Sequence, residues 1–114
     1  MIDLINFYRV KDLDATREFY GHLLGFKLYK DQGKCLIFDT GVGKLGFCNH
    51  FPEEKSKNSC ITFVYTSMDE VDEIYKRLTS LCTIEPELNE YFKIYHFFIN
   101  DPNGLKLEFQ CFLE

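Results

Sequence analysis

The sequence predicts an α+β fold of two βαβββ modules, whose curved mixed sheets surround a cleft with the helices outside. Three observations predict it. The order strand, helix, three strands occurs twice, letters of the first half recur in the second, and one polar stretch, His50–Asn58 (HFPEEKSKN), separates the two. At 114 residues the chain is expected to form a single domain, with modules of about 1–52 and 58–114.

Along the chain, residues 2–10 read as an apolar and aromatic strand that Asp12 stops. Asp12 or Asp14 caps a helix to about Leu24, because Leu13, Ala15/Thr16, Phe19/Tyr20 and Leu23/Leu24 recur at helical spacing. Gly25 is its natural end. Short strands follow at Phe26–Lys30, Cys35–Asp39 and Lys44–Cys48, punctuated by Gly33 and by Gly41/Gly43. In the second half Cys60–Tyr65 is a strand, and Ser67 caps a helix over 68–81 with Met68, Val71, Ile74/Tyr75 and Leu78 on one face. Strands then fall near Thr83–Glu87, Lys93–Asn100 and Leu105–Phe112. The DPNG at Asp101–Gly104 is a tight turn with glycine where a positive φ is wanted.

The repeat is visible in the letters. A slide of 55 lays Val10–Leu23 over Tyr65–Leu78 and matches Asp14/Asp69, Glu18/Glu73, Tyr20/Tyr75 and Leu23/Leu78. A slide of 62 lays KLGF (Lys44–Phe47) over KLEF (Lys106–Phe109). Shared element order and shared letters together point to a duplicated module. If Ile5, Phe7 and Arg9 face the cleft, alternation sends Asn6, Tyr8 and Val10 to the outer, helix side.

Composition excludes some functions. A net charge of −5 leaves no basic footprint for nucleic acid. No apolar run is long enough for a membrane span, and MIDLINFYRV lacks a basic segment leading into an apolar one, so a cytoplasmic protein is expected. Five cysteines, odd in number and without a CxxC pair, read as small buried hydrophobes in a reducing compartment. The chain carries 12 Phe and 7 Tyr, more rings than one small core needs. They fit a core plus a homodimer interface, or the lining of a pocket for a flat ligand.

The block RVKDLDATREFYGHLLGF (Arg9–Phe26), followed by DPNGLKLEF (Asp101–Phe109), resembles the vicinal oxygen chelate superfamily of glyoxalases, extradiol dioxygenases and bleomycin-resistance proteins. The likeness spans essentially the whole chain. It implies a divalent metal held by His and Glu side chains from the first and last strand of each module. Carried over by position, those ligands fall on Ile5, Gly46, Cys60 and Glu108. Two of the four have no donor atom, so no metal is expected, and a divalent ion on a non-standard set such as His50, Cys60, His96 and Glu108 is the alternative.

The resemblance places a ligand groove along Ile5, Phe7, Arg9, Gly46, Cys48, Cys60, Thr62, Glu108 and Gln110. Glu108 is the candidate base or cation anchor, set against a salt bridge to Arg9 or Lys106. Cys60 is expected to be a buried inert thiol. Three readings stay open. The first is a binding protein with a degenerate metal site that sequesters a planar or cationic small molecule. The second is a lyase, isomerase or dioxygenase of the family, and the third is an interaction protein with a filled groove.

Overall fold

The computed structural model describes residues 3–50 and 59–113. The chain divides into two compact units, residues 1–55 and 56–114. Apart from His50, the expected linker lies outside the described residues.

In the first unit the order is β1 (Ile5–Arg9), α1 (Leu13–Thr16) continued by a π-helical stretch (Arg17–Leu23), β2 (Lys27–Asp31), β3 (Cys35–Asp39) and β4 (Lys44–Cys48). The sheet order is β1-β4-β3-β2, with β1 parallel to β4 and the other pairs antiparallel. Asp12 Oδ1 accepts from the Ala15 N–H at 3.0 Å and caps the helix. The helix then widens, its Leu24 N–H reaching back five residues to the Phe19 carbonyl at 2.9 Å. The sequence pattern implies a uniform α-helix to Leu24. It widens where Gly21 meets Phe38, an added β-carbon there standing 3.3 Å from the ring. Gly25, at φ +73°, ends the helix as expected.

One side of this sheet carries the core. Phe19, Tyr20, Phe38 and Phe47 are buried, and the rings of Tyr20 and Phe47 stack at 4.3 Å. Tyr8 joins the same side by stacking on Phe47 at 5.9 Å. The alternation expected for β1 therefore holds, with Tyr8 toward the helix and Phe7 away from it. Phe7 is 54% exposed.

In the second unit the order is β5 (Cys60–Tyr65), α2 (Met68–Arg77), a 3-10 turn (Thr79–Leu81), β6 (Glu87–Asn89), β7 (Ile94–Asn100) and β8 (Lys106–Phe112). The sheet order β5-β8-β7-β6 repeats the first, again with a parallel outer pair. Ser67 Oγ accepts from the Glu70 N–H at 3.2 Å, so the expected cap is present. Val71, Ile74 and Leu78 are buried, as are Phe97, Leu107 and Phe109 of the sheet, whereas Met68 stays exposed at the first turn.

Two strand expectations need correction. The sixth strand begins at Glu87 and not at Thr83, because Pro86 has no N–H to give a ladder. Lys93 is in the turn and not the strand, at φ +55°. Tyr91 and Phe92 are also turn residues and are exposed.

The Asp101–Gly104 turn forms as read. Asp101 is buried, and its Oδ1 accepts from the N–H groups of Asn103 and Leu105, both at 2.8 Å. Gly104 sits at φ +84°.

Candidate functional site

Each unit has a sheet face opposite its helix, and the candidate residues lie there. In the first unit strand alternation puts Ile5, Phe7, Arg9, Gly46, Cys48 and Cys35 on that face. Phe7 is paired with Gly46 across the parallel β1/β4 ladder. Its ring lies over the glycine so closely that an added β-carbon at 46 would overlap Cδ1 and Cε1 of Phe7. Ile5 offers no donor atom, and the space a ligating side chain at 46 needs is filled by this ring. The first unit does not fit the two metal ligands that the resemblance assigns to it.

Beside Phe7 is a cavity of about 450 Å³ lined by Phe7, Tyr8, Arg9, Gln32, Cys35, Cys48 and His50. A ring, a guanidinium and an amide converge on it, which suits a small planar molecule with polar substituents.

Cys35 and Cys48 oppose each other in the β3/β4 ladder and are joined by a disulfide. The expectation that all five cysteines are small buried hydrophobes outside any disulfide is therefore corrected for this pair. Direct opposition in an antiparallel pair, with Cα atoms 4.1 Å apart, brings the two sulfurs together, and residue spacing alone does not reveal register. His50, just past β4, has its Nδ1 3.8 Å from Cys35 Sγ.

In the second unit the equivalent pair across the parallel ladder is Thr62 and Glu108. Thr62 donates its hydroxyl to Glu108 Oε1 at 2.8 Å, and His96 Nδ1 is hydrogen-bonded to Oε2 at 2.7 Å. With the carboxylate ionised, Nδ1 carries the proton of that bond. Glu108 and His96 side chains are 13% and 10% exposed, so water screens the contact little. Among the described residues no salt bridge joins Glu108 to Lys106, which shares its face of β8 but lies over Phe98, with Nζ 4.4 Å from the ring centre.

Gln110 is buried on the same face, and its Oε1 has no hydrogen-bond partner among the described residues. Cys60 is exposed, contrary to expectation, since it opens an edge strand on this face. Its Sγ lies 3.8 Å from the carbonyl oxygen of Ile61, to which it donates. His22 is on the first helix at 3.5 Å from Glu18 and belongs to neither face.

Spacing alone does not orient His96 in β7. The signal that could have fixed it is alternation from Phe97, whose neighbours in β7 must point the other way.

A family model described as "Glyoxalase/Bleomycin resistance protein/Dioxygenase superfamily" matches residues 2–109. Among solved structures, a glyoxalase/bleomycin resistance protein/dioxygenase from Nocardioides is similar with a TM-score of 0.82 at 20% identity, covering 100% of this chain and 85% of that one. A family enzyme from Burkholderia phytofirmans PsJN has a TM-score of 0.83 at 19% identity, with 96% and 98% covered. The lactoylglutathione lyase of Agrobacterium tumefaciens has 0.77 at 21%, with 96% and 92% covered. At such identities these structures speak for the fold. No curated protein matches the sequence. Among the described residues, no helix is long and apolar enough to cross a membrane.

Proposed function

Because the chain belongs to the glyoxalase/bleomycin resistance protein/dioxygenase superfamily, we propose that it is a small-molecule-binding member whose ancestral metal position is degenerate. The ligand is planar, with a cationic or donor-bearing part. The observation that carries this reading is the ring of Phe7 over Gly46. At a position where the family keeps a ligand, the chain presents an aromatic platform at the edge of a cavity of about 450 Å³. Ring stacking is worth about 0.5–1.5 kcal/mol beyond burial, enough to orient a flat ligand. Taken by itself, the second unit offers the Glu108 carboxylate as an acceptor for a cationic or N–H-bearing group.

The test is calorimetric titration of the full chain, in chelator, with bleomycin and with ethidium as a simple planar cation. Saturable 1:1 binding that Phe7→Ala weakens supports the reading. Absence of binding by both probes, or binding only after a divalent cation is added, overturns it.

A second reading is a family enzyme, favoured by the Thr62–Glu108–His96 chain, which pairs a carboxylate with an imidazole as acid–base chemistry requires. Lactoylglutathione lyase turnover on supplying Ni²⁺ or Zn²⁺, abolished by Glu108→Gln, favours it over the first.

A further inference from the structure

The Cys35–Cys48 disulfide has a third donor beside it. The sulfurs of Cys35 and Cys48 and an imidazole nitrogen of His50 all lie within 4.8 Å of one another. Among the described residues, no other trio of His, Cys, Asp or Glu brings its donor atoms this close. None of the three is a position at which the family resemblance implies a ligand.

A tetrahedral Zn²⁺ with sulfur at about 2.3 Å and imidazole nitrogen at about 2.0–2.1 Å separates its donors by about 3.5–3.8 Å. The Cys35 Sγ to His50 Nδ1 distance of 3.8 Å already matches that spacing. The two sulfurs, joined to each other, do not. Once their bond is reduced, modest side-chain rotation on two adjacent strands brings them to it. The three donors line one side of the cavity that Phe7, Arg9 and Gln32 complete, which leaves a fourth position open to water or a small ligand. Two thiolates neutralise a divalent ion, and the Arg9 guanidinium on the same cavity wall favours the thiolate form.

We propose that, with the disulfide reduced, Cys35, Cys48 and His50 hold one thiophilic divalent cation of the Zn²⁺ type, and that forming the disulfide expels it. The oxidant is a low-molecular-weight disulfide such as glutathione disulfide. One protein thiolate attacks its S–S bond, making a mixed disulfide and releasing one glutathione thiolate. The second protein thiolate then attacks the protein sulfur of that intermediate and releases the other. Two electrons pass from the cysteine sulfurs to the reagent, two glutathione thiolates leave, and the cation departs because imidazole alone retains it weakly. Metal and disulfide are alternative occupants of one place.

The remaining thiols compete poorly. Burial pushes the Cys82 and Cys111 thiols up, and Cys60 lies in the other unit with no such trio around it. The inference does not rest on the ligand-binding reading, since its test contains no organic ligand.

The experiment uses the full chain, reduced with a phosphine under argon, desalted and titrated with Co²⁺ as a spectroscopic stand-in for Zn²⁺. Expected are one Co²⁺ per chain, a near-ultraviolet sulfur-to-cobalt charge-transfer band, and displacement by Zn²⁺. Glutathione disulfide then abolishes the band, releases the ion and lowers the free-thiol count by two. His50→Ala, at an exposed residue, weakens or removes the band with the circular dichroism of the fold unchanged, while Cys82→Ser preserves it. The proposal is overturned if the reduced chain shows no band, if the oxidised chain binds Co²⁺ equally well, or if His50→Ala leaves the titration unchanged.

Discussion

Phe7 and Gly46, facing each other across the β1/β4 ladder, occupy the place that Thr62 and Glu108 occupy in the β5/β8 ladder. One half of the duplication presents a ring on a bare backbone, the other a hydroxyl on a carboxylate. The same register therefore serves two chemistries, and each makes its own prediction.

Gly46→Ala forces its new methyl group into the ring of Phe7. Overpacking of this kind costs about 1–3 kcal/mol. In a Phe7→Ala background the cost should fall to near zero, because the obstructing ring is gone. Urea unfolding of the two single variants and the double variant checks this, and simple additivity would contradict the contact.

Glu108→Ala leaves the Thr62 hydroxyl and His96 Nδ1 without their shared acceptor in a largely buried place. The expected loss is about 1–3 kcal/mol. Glu108→Gln keeps the Thr62 bond and loses less. Thermal unfolding of both variants at neutral pH ranks them, and equal losses would mean that Thr62 contributes nothing.

Asp101 is at the corner of the last hairpin, where one carboxylate oxygen serves two backbone N–H groups. Asp101→Ala should cost about 1–3 kcal/mol for those unsatisfied donors. Asp101→Asn retains an acceptor oxygen and should recover part of it. Chemical denaturation with an unchanged m-value is the readout.

Tyr95 donates its hydroxyl to Asp72 Oδ1 at 2.6 Å. That bond, with burial and the charge of Asp72, pushes the phenol from its ordinary 10.0 up to about 12. A raised folded pKa means that the stabilisation is fully present below pH 10 and is lost as pH rises from 10 toward 12. Tyr95→Phe removes the titrating group, so its unfolding free energy should fall less steeply across that window. Parallel pH series of wild type and variant measure it, and identical slopes would refute it.

Much of the fold was legible because it is written in local pattern. Asp12, Ser67 and Gly25 announce helix ends by their own side-chain or backbone preferences, and DPNG announces its turn. The opposite-facing pairs Tyr8 and Phe7 follow from alternation alone. The disulfide was not legible, since Cys35 and Cys48 are 13 residues apart and meet only through the register of the β3/β4 hairpin. The His96–Glu108 bond has the same origin, for His96 opposes Gln110 in the ladder and reaches Glu108 diagonally. The start of the sixth strand was missed because Thr83 and Ile84 have strand propensity that Pro86 overrules. Metal positions were readable only as absences, and it takes coordinates to see that a ring fills one of them.

The widened helical stretch of residues 17–23 sets a difference in tempo between the two halves. A π-type turn closes a larger ring and ties down more chain for each bond it makes, so its amides are held less tightly than those of the regular α2. In deuterated water, Phe19–Leu24 should exchange before Asp72–Tyr75, though both segments sit on aromatic cores of similar build. Equal exchange of the two segments would show that the widened turn holds its amides as firmly as the regular helix does.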